Sequence, residues 1–119
     1  MSRVKRILVV EDAPLICETL QQKLSDLGYK VDTLLDGQDV LDTYLPGKYD
    51  LLLMDTQMER SIGYEICAKL RKRDQEIIII GMSSVEGFRS QWMEAGATAF
   101  SPTLSLVRDV EKTLQQYLK

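Results

Sequence analysis

Five acidic or hydroxyl-bearing residues stand where apolar runs break off. RILVV (6–10) is followed by Glu11 and Asp12, LLLM (51–54) by Asp55, and IIIIGM (77–82) by Ser83 and Ser84. Taken one at a time, a carboxylate there is the solvated end of a strand, and a serine is a loop residue or helix cap. Brought together, the carboxylates would behave differently. Two like charges about 4 Å apart repel by roughly 4 kcal/mol at an effective dielectric of 20, a large fraction of a total stability of about 5 to 15 kcal/mol. A divalent cation offsets that repulsion, and an all-oxygen donor set suits Mg2+, which takes one or two carboxylates, waters and a phosphate oxygen. A neighbouring serine hydroxyl, from Ser83 or Ser84, would donate to an oxyanion held over Asp55. Whether these groups meet depends on the elements that carry them.

The apolar pattern alternates short continuous runs with amphipathic stretches. RILVV is continuous, as in a strand buried on both faces. Ile16, Leu20, Leu24 and Leu27 then recur at helical spacing up to Gly28, a C-cap. YKVDTLL reads as a second strand and DGQDVLDTYL as a short helix with Asp36 as N-cap. YDLLLMD is the third strand, and Ile62, Ile66 and Leu70 mark the next helix. EIIIIGMS is a fourth strand rich in β-branched residues. Val85, Phe88, Trp92 and Ala95 trace a helical stripe ending at Gly96, ATAF is a short fifth strand, and Val107, Val110, Leu114 and Tyr117 face inward from a last helix. Five β-α units imply one α/β domain over residues 1–119, a doubly wound parallel sheet with helices on both faces.

In such a sheet, ligands sit beyond the carboxyl ends of the strands where strand order reverses. In the order 2-1-3-4-5 that point lies between strands one and three. Adjacent strands are about 4.8 Å apart, so this topology crowds Glu11, Asp12 and Asp55 into one small volume. Ser83 ends the strand beside Asp55.

Composition narrows the functional classes. With 119 residues, 45% hydrophobic and 28% charged, the chain suits one ordinary globular domain. A net charge of −3, with the 15 basic residues scattered, speaks against direct nucleic-acid binding. The apolar runs are of strand length, far short of a membrane span, and nothing resembles a signal peptide, so no membrane is expected and the location is cytoplasmic by default. Cys17 and Cys67 are the two cysteines and the chain has no histidine, which argues against zinc; both read as buried free thiols. No GxGxxG or GxxxxGK[ST] follows the first strand, against dinucleotide or P-loop binding. Phe88 and Trp92, four apart within a stripe, read as core rather than a stacking pair.

These motifs, in this order and over nearly the whole chain, resemble the response-regulator receiver domains of two-component signalling, of the chemotaxis-regulator type. ILVVEDAPLICETLQQKLSDLGYKV is similar to the family's opening with its acidic pair, Glu11 and Asp12. LLDGQDVLD resembles the start of its second helix, and YDLLLMDTQMERSIGYE its phosphoacceptor segment, with Asp55, Met58 and Gly63 correctly spaced. IIIIGMSS resembles the fourth strand, placing its hydroxyl residue at Ser83, and MEAGATAF leads to the switch aromatic at Phe100.

The resemblance implies a flavodoxin-like receiver fold and a signalling switch rather than a turnover enzyme. Asp55 would take a phosphoryl group from a sensor histidine kinase, a phosphotransfer protein or a small acyl phosphate; slow autodephosphorylation is compatible with this role. It further implies Mg2+ held by Asp12, Asp55 and the backbone carbonyl of Gln57, with Glu11 acting through water. Ser83 would turn toward the phosphoryl oxygens and Phe100 inward. A downstream partner or output domain would read the change on the face built by the fourth helix, fifth strand and last helix. No output domain follows Lys119, which leaves both a stand-alone regulator and a piece of a longer one open.

Departures from the family pattern matter as well. Its usual Lys after strand five falls on Ser101 if a gap is allowed and on Thr103 if not, and neither is basic. Its usual Pro after the Met is Glu59, and the segment from Ser83 to Gly96 is about two residues short. Ser101 and Pro102 also read as N-cap and first residue of the last helix, and Ser84 as a helix N-cap. A pseudo-receiver that binds partners without phosphorylation is the rival reading. A haloacid-dehalogenase-like phosphatase would need a second Asp where Gln57 stands.

Overall fold

The computed structural model describes residues 3–118; Met1, Ser2 and Lys119 of the domain expected over 1–119 lie outside the described residues. Five parallel strands, β1 (Arg6–Val10), β2 (Lys30–Leu34), β3 (Leu51–Asp55), β4 (Ile78–Ser83) and β5 (Ala99–Pro102), form one sheet in the order β2-β1-β3-β4-β5. This is the doubly wound order expected from the sequence. The helices are α1 (Pro14–Asp26), α2 (Gly37–Thr43), α3 (Gly63–Arg71), α4 (Arg89–Glu94), α5 (Thr103–Arg108) and α6 (Val110–Tyr117), with a 3-10 turn at Glu86–Phe88.

The continuous apolar runs are explained by burial on both faces. Leu8, Val10, Leu52, Met54 and Ile79 pack against Val40, Ile66, Leu70 and Trp92 of α2, α3 and α4. The alternate positions Ile7, Val9, Leu51, Leu53, Ile80 and Met82 pack against Leu20 and Leu24 of α1 and Leu106, Val110 and Leu114 of α5 and α6. Successive strand residues point to opposite faces, so each run feeds two core layers. Cys17 and Cys67 are free and buried, as expected. Among the described residues, no helix is long and apolar enough to cross a membrane.

Three expected boundaries move. Helix α1 stops earlier: Leu27 is its C-cap and is 38% exposed, and Gly28 beyond it takes φ +96°. The fifth strand begins two residues later than ATAF suggests. Gly96 at φ +94° ends α4, and Ala97 N–H donates back to Trp92 O at 3.1 Å, so Ala97 belongs to the helix stop. Consequently Ser101 and Pro102 are not the N-cap and first turn of the last helix; both lie in β5. Pro102 closes an edge strand, where its missing N–H is tolerated. The last helix is broken at Asp109 (φ −112°, ψ 27°). The stripe Leu106, Val110, Leu114 runs through the break at intervals of four, which is why the sequence reads as one helix.

Candidate functional site

The parallel register sets Val10 beside Met54, and the next residues, Glu11 and Asp55, leave the sheet side by side. One carboxylate oxygen from each of Glu11, Asp12 and Asp55 lies within 4.8 Å of the others. The sheet order therefore does bring these three together. Glu11 is 3% exposed; its Oε1 accepts from the Ala13 N–H at 3.1 Å and its own N–H donates to Leu34 O at 3.1 Å. Burial pushes the Glu11 carboxyl up to about 8, helped by the Asp55 and Asp12 charges against the lowering effect of the Ala13 N–H. Burial also raises Asp55, opposed by the Thr56 N–H and by a hydrogen bond from Glu11.

The loop leaving β3 is closed by two backbone bonds. Gly63 N–H donates to Thr56 O at 2.6 Å and Met58 N–H to Ser61 O at 3.1 Å. They flank an antiparallel bridge between Gln57 and Ile62. In a pair bonded through its flanking residues, the central N–H and C=O point away from the partner strand. The Gln57 carbonyl is thus left outside the ladder as a free acceptor. Asp36 fixes this loop from the side. Expected only as the α2 N-cap, it accepts from Gln38 N–H at 3.0 Å, and also from Arg60 N–H at 2.8 Å and the Ser61 hydroxyl at 2.6 Å.

Ser83 ends β4 one position beyond the Asp55↔Met82 pair and is 3% exposed. Its hydroxyl accepts from Val85 N–H at 2.9 Å. That bond bends the chain at Ser84 and Val85, so Ser84 is no N-cap: the 3-10 turn starts at Glu86 with Val85 as its cap. Phe100 lies inside, 6% exposed, with the Arg89 guanidinium 5.0 Å from its ring centroid and donating to its carbonyl at 3.3 Å. The β4–β5 register runs unbroken from Ile80↔Ala99 to Ser83↔Pro102. With no gap, the position three beyond Phe100 is Thr103, which is buried at the start of α5.

A further buried connection lies beyond local sequence reading. Thr56, directly after Asp55, is fully buried; its hydroxyl donates to Met82 O at 2.8 Å and accepts from Trp92 Nε1–H at 2.8 Å. The visible signal was a polar residue inside MDTQM, but its partner lies 36 positions away. The chemistry of the site is that of an oxygen-donor cradle: three carboxyls, a carbonyl left outside the ladder and a buried hydroxyl at the carboxyl ends of β1, β3 and β4. The donor set fits Mg2+.

The family of response regulator receiver domains matches residues 7–101. The transcriptional regulatory protein DltR of Streptococcus agalactiae is 39% identical over 79 residues, 66% of this chain and 35% of DltR. The response regulator ArlR of Staphylococcus aureus is 41% identical over 75 residues, 63% of this chain and 34% of ArlR. The match thus spans about a third of the length of these curated relatives. The crystal structure of response regulator TrrA from Thermotoga maritima, in complex with Mg2+ and BeF, superposes with a TM-score of 0.87 at 30% identity, covering 97% of this chain and 100% of that one. The chemotaxis protein CheY4 of Vibrio cholerae shares the fold, with a TM-score of 0.87 at 23% identity and coverage of 98% and 100%.

Proposed function

The chain belongs to the response regulator receiver domain family, and from that premise we propose that it is a phosphoryl-accepting switch whose acceptor is Asp55. The observation that carries this reading is the meeting of Glu11, Asp12 and Asp55 within 4.8 Å. An Asp55 carboxylate oxygen attacks phosphorus, and the bond from phosphorus to the donor's histidine nitrogen or acyl oxygen breaks with its electron pair leaving on the donor. Asp12, Asp55 and the Gln57 carbonyl would hold Mg2+, with Glu11 acting through water. When bound, the ion neutralises charge on the transferred group. Ser83 gives up Val85 N–H and turns its hydroxyl to a phosphoryl oxygen. The donor is a histidine kinase or phosphotransfer protein in the cytoplasm, and a downstream partner or output domain reads the result.

One observation favours the rival pseudo-receiver: the position after β5 is Thr103, with no cation to pair with a phosphoryl group. The deciding experiment is incubation with acetyl phosphate, with and without Mg2+, read by intact mass. One Mg2+-dependent phosphoryl adduct, absent in Asp55→Asn, is expected. No adduct, or one that survives the substitution, overturns the assignment.

A further inference from the structure

Trp92, the chain's only tryptophan, is buried against two glycines. A Cβ on Gly81 would sit 2.5 Å from its Cε2, and one on Gly63 would sit 2.6 Å from its Cζ2. The indole therefore fills space left open by one position of β4 and the first residue of α3, and has no room to slide. Its Nε1–H is committed to Thr56 Oγ1, and the same hydroxyl is committed to Met82 O. Thr56 follows Asp55 directly in the chain. Met82 precedes Ser83 and pairs with Asp55 across the sheet. A single hydroxyl thus joins the ends of β3 and β4 and hangs both from α4.

We propose that Trp92 is a positioning residue for phosphoryl transfer. Acting through Thr56, it holds the Asp55 carboxylate and Ser83 in register and ties the placement of α4 to their state. This rests on the reading of Asp55 as phosphoacceptor. A buried indole with purely packing duties would need volume and one acceptor. Here the acceptor is the side chain that ties the residue after Asp55 to Met82, the residue before Ser83. The linkage also gives α4 a route to the site separate from Phe100, whose ring is already buried under Arg89.

The test compares Trp92→Phe, Thr56→Val, their double variant and Thr56→Ser, each checked for folding by circular dichroism, in Mg2+-dependent labelling by acetyl phosphate. Loss of one bridging hydrogen bond should slow the limiting rate by about three- to tenfold in Trp92→Phe and in Thr56→Val. The acetyl phosphate concentration at half rate should stay put. The double variant should be no slower than either single one, and Thr56→Ser, which keeps the hydroxyl, should label near the wild-type rate. In wild type and Thr56→Ser, the Trp92 indole N–H resonance should shift when Mg2+ and beryllofluoride are added, and not in Asp55→Asn. Equal rates in all variants, or losses that multiply in the double variant, overturn the inference while leaving Asp55 as acceptor. A wild type that takes no label overturns both. If Trp92→Phe does not fold, Thr56→Val against Thr56→Ser decides: equal rates for that pair overturn the inference.

Discussion

Glu11 and Asp55 bring a carboxylate oxygen each within 4.8 Å of one another across the ends of β1 and β3, and burial raises both carboxyls. Burial raises Glu11 to about 8 from an ordinary 4.5. A carboxyl whose folded-state pKa is raised binds more proton in the native than in the unfolded chain. Its stabilisation is complete below the unfolded value and is lost as pH rises through the folded one. The metal-free protein should therefore melt at progressively lower temperature as pH is raised from about 4.5 to about 8. Saturating Mg2+ displaces the proton and should flatten that slope, while Mg2+ itself binds more tightly at the alkaline end. Thermal denaturation followed by circular dichroism at several pH values, with and without Mg2+, checks this. A flat metal-free profile would count against the raised Glu11 carboxyl.

Asp36 should matter twice, to stability and to metal binding. Burial tends to raise its carboxyl, but hydrogen bonds from Ser61, Gln38 and Arg60 hold it below the usual value. Its contribution is therefore present at neutral pH and lost as pH falls through the acid range. Asp36→Ala removes a helix cap worth about 0.5 to 2 kcal/mol and strands donors at about 1 to 3 kcal/mol. The expected loss is about 2 to 4 kcal/mol in chemical denaturation, on the same grounds. Mg2+ titration should also show weaker binding, because the loop that carries Gln57 loses its lateral hold.

Gly81→Ala sets the rigidity of the Trp92 site against ordinary packing. The added methyl runs into an indole that its bond to Thr56 prevents from moving. Overpacking of this kind costs about 1 to 3 kcal/mol, which lowers the melting temperature by at least about 4 °C in a domain of this size. Gly87→Ala is the control: nothing lies within 4 Å of its added carbon, and the melting temperature should hold. Equal melting temperatures for the two variants would show that the indole can yield.

Much of this arrangement was written in local patterns. Continuous runs such as RILVV announce strands buried on both faces, and their alternation with helical stripes announces a parallel doubly wound sheet. The order 2-1-3-4-5, which brings Glu11, Asp12 and Asp55 together, is not contained in that alternation and had to be assumed. Asp36 was visible as a cap because capping is a contact between near neighbours. Its grip on Arg60 and Ser61, 24 and 25 positions on, was not. The β5 boundary was missed because ATAF has strand composition, yet Ala97 is claimed by the end of α4. The break at Asp109 leaves no trace in the apolar spacing, since Leu106, Val110 and Leu114 stay on one face across it. The Thr56 and Trp92 contact exists only after the sheet has placed β4 between them.

Thr103 offers the last test, because it marks where a charge is missing. A phosphoryl group brings about −1.5 to −2 units of charge to the site, and neither Ser101 nor Thr103 supplies a Lys to meet it. A charge-assisted hydrogen bond contributes about 1.5 to 3 kcal/mol, which is roughly one to two powers of ten in the ratio of two conformations. The unbroken β4–β5 register places Thr103 next after the Ser83↔Pro102 pair, whereas Ser101 lies inside the strand opposite Met82. Thr103→Lys should therefore enlarge the response to Mg2+ and beryllofluoride, measured as amide chemical-shift changes in α4 and β5. Ser101→Lys should not, because its ammonium would start one residue pair back from the sheet edge. Thr103 is 7% exposed, so the longer side chain must extend toward the acid pocket or disturb α5, and the melting temperature without beryllofluoride separates these outcomes. If the unmodified protein already responds fully and saturably, and Thr103→Lys adds nothing, then the missing charge does not limit this switch.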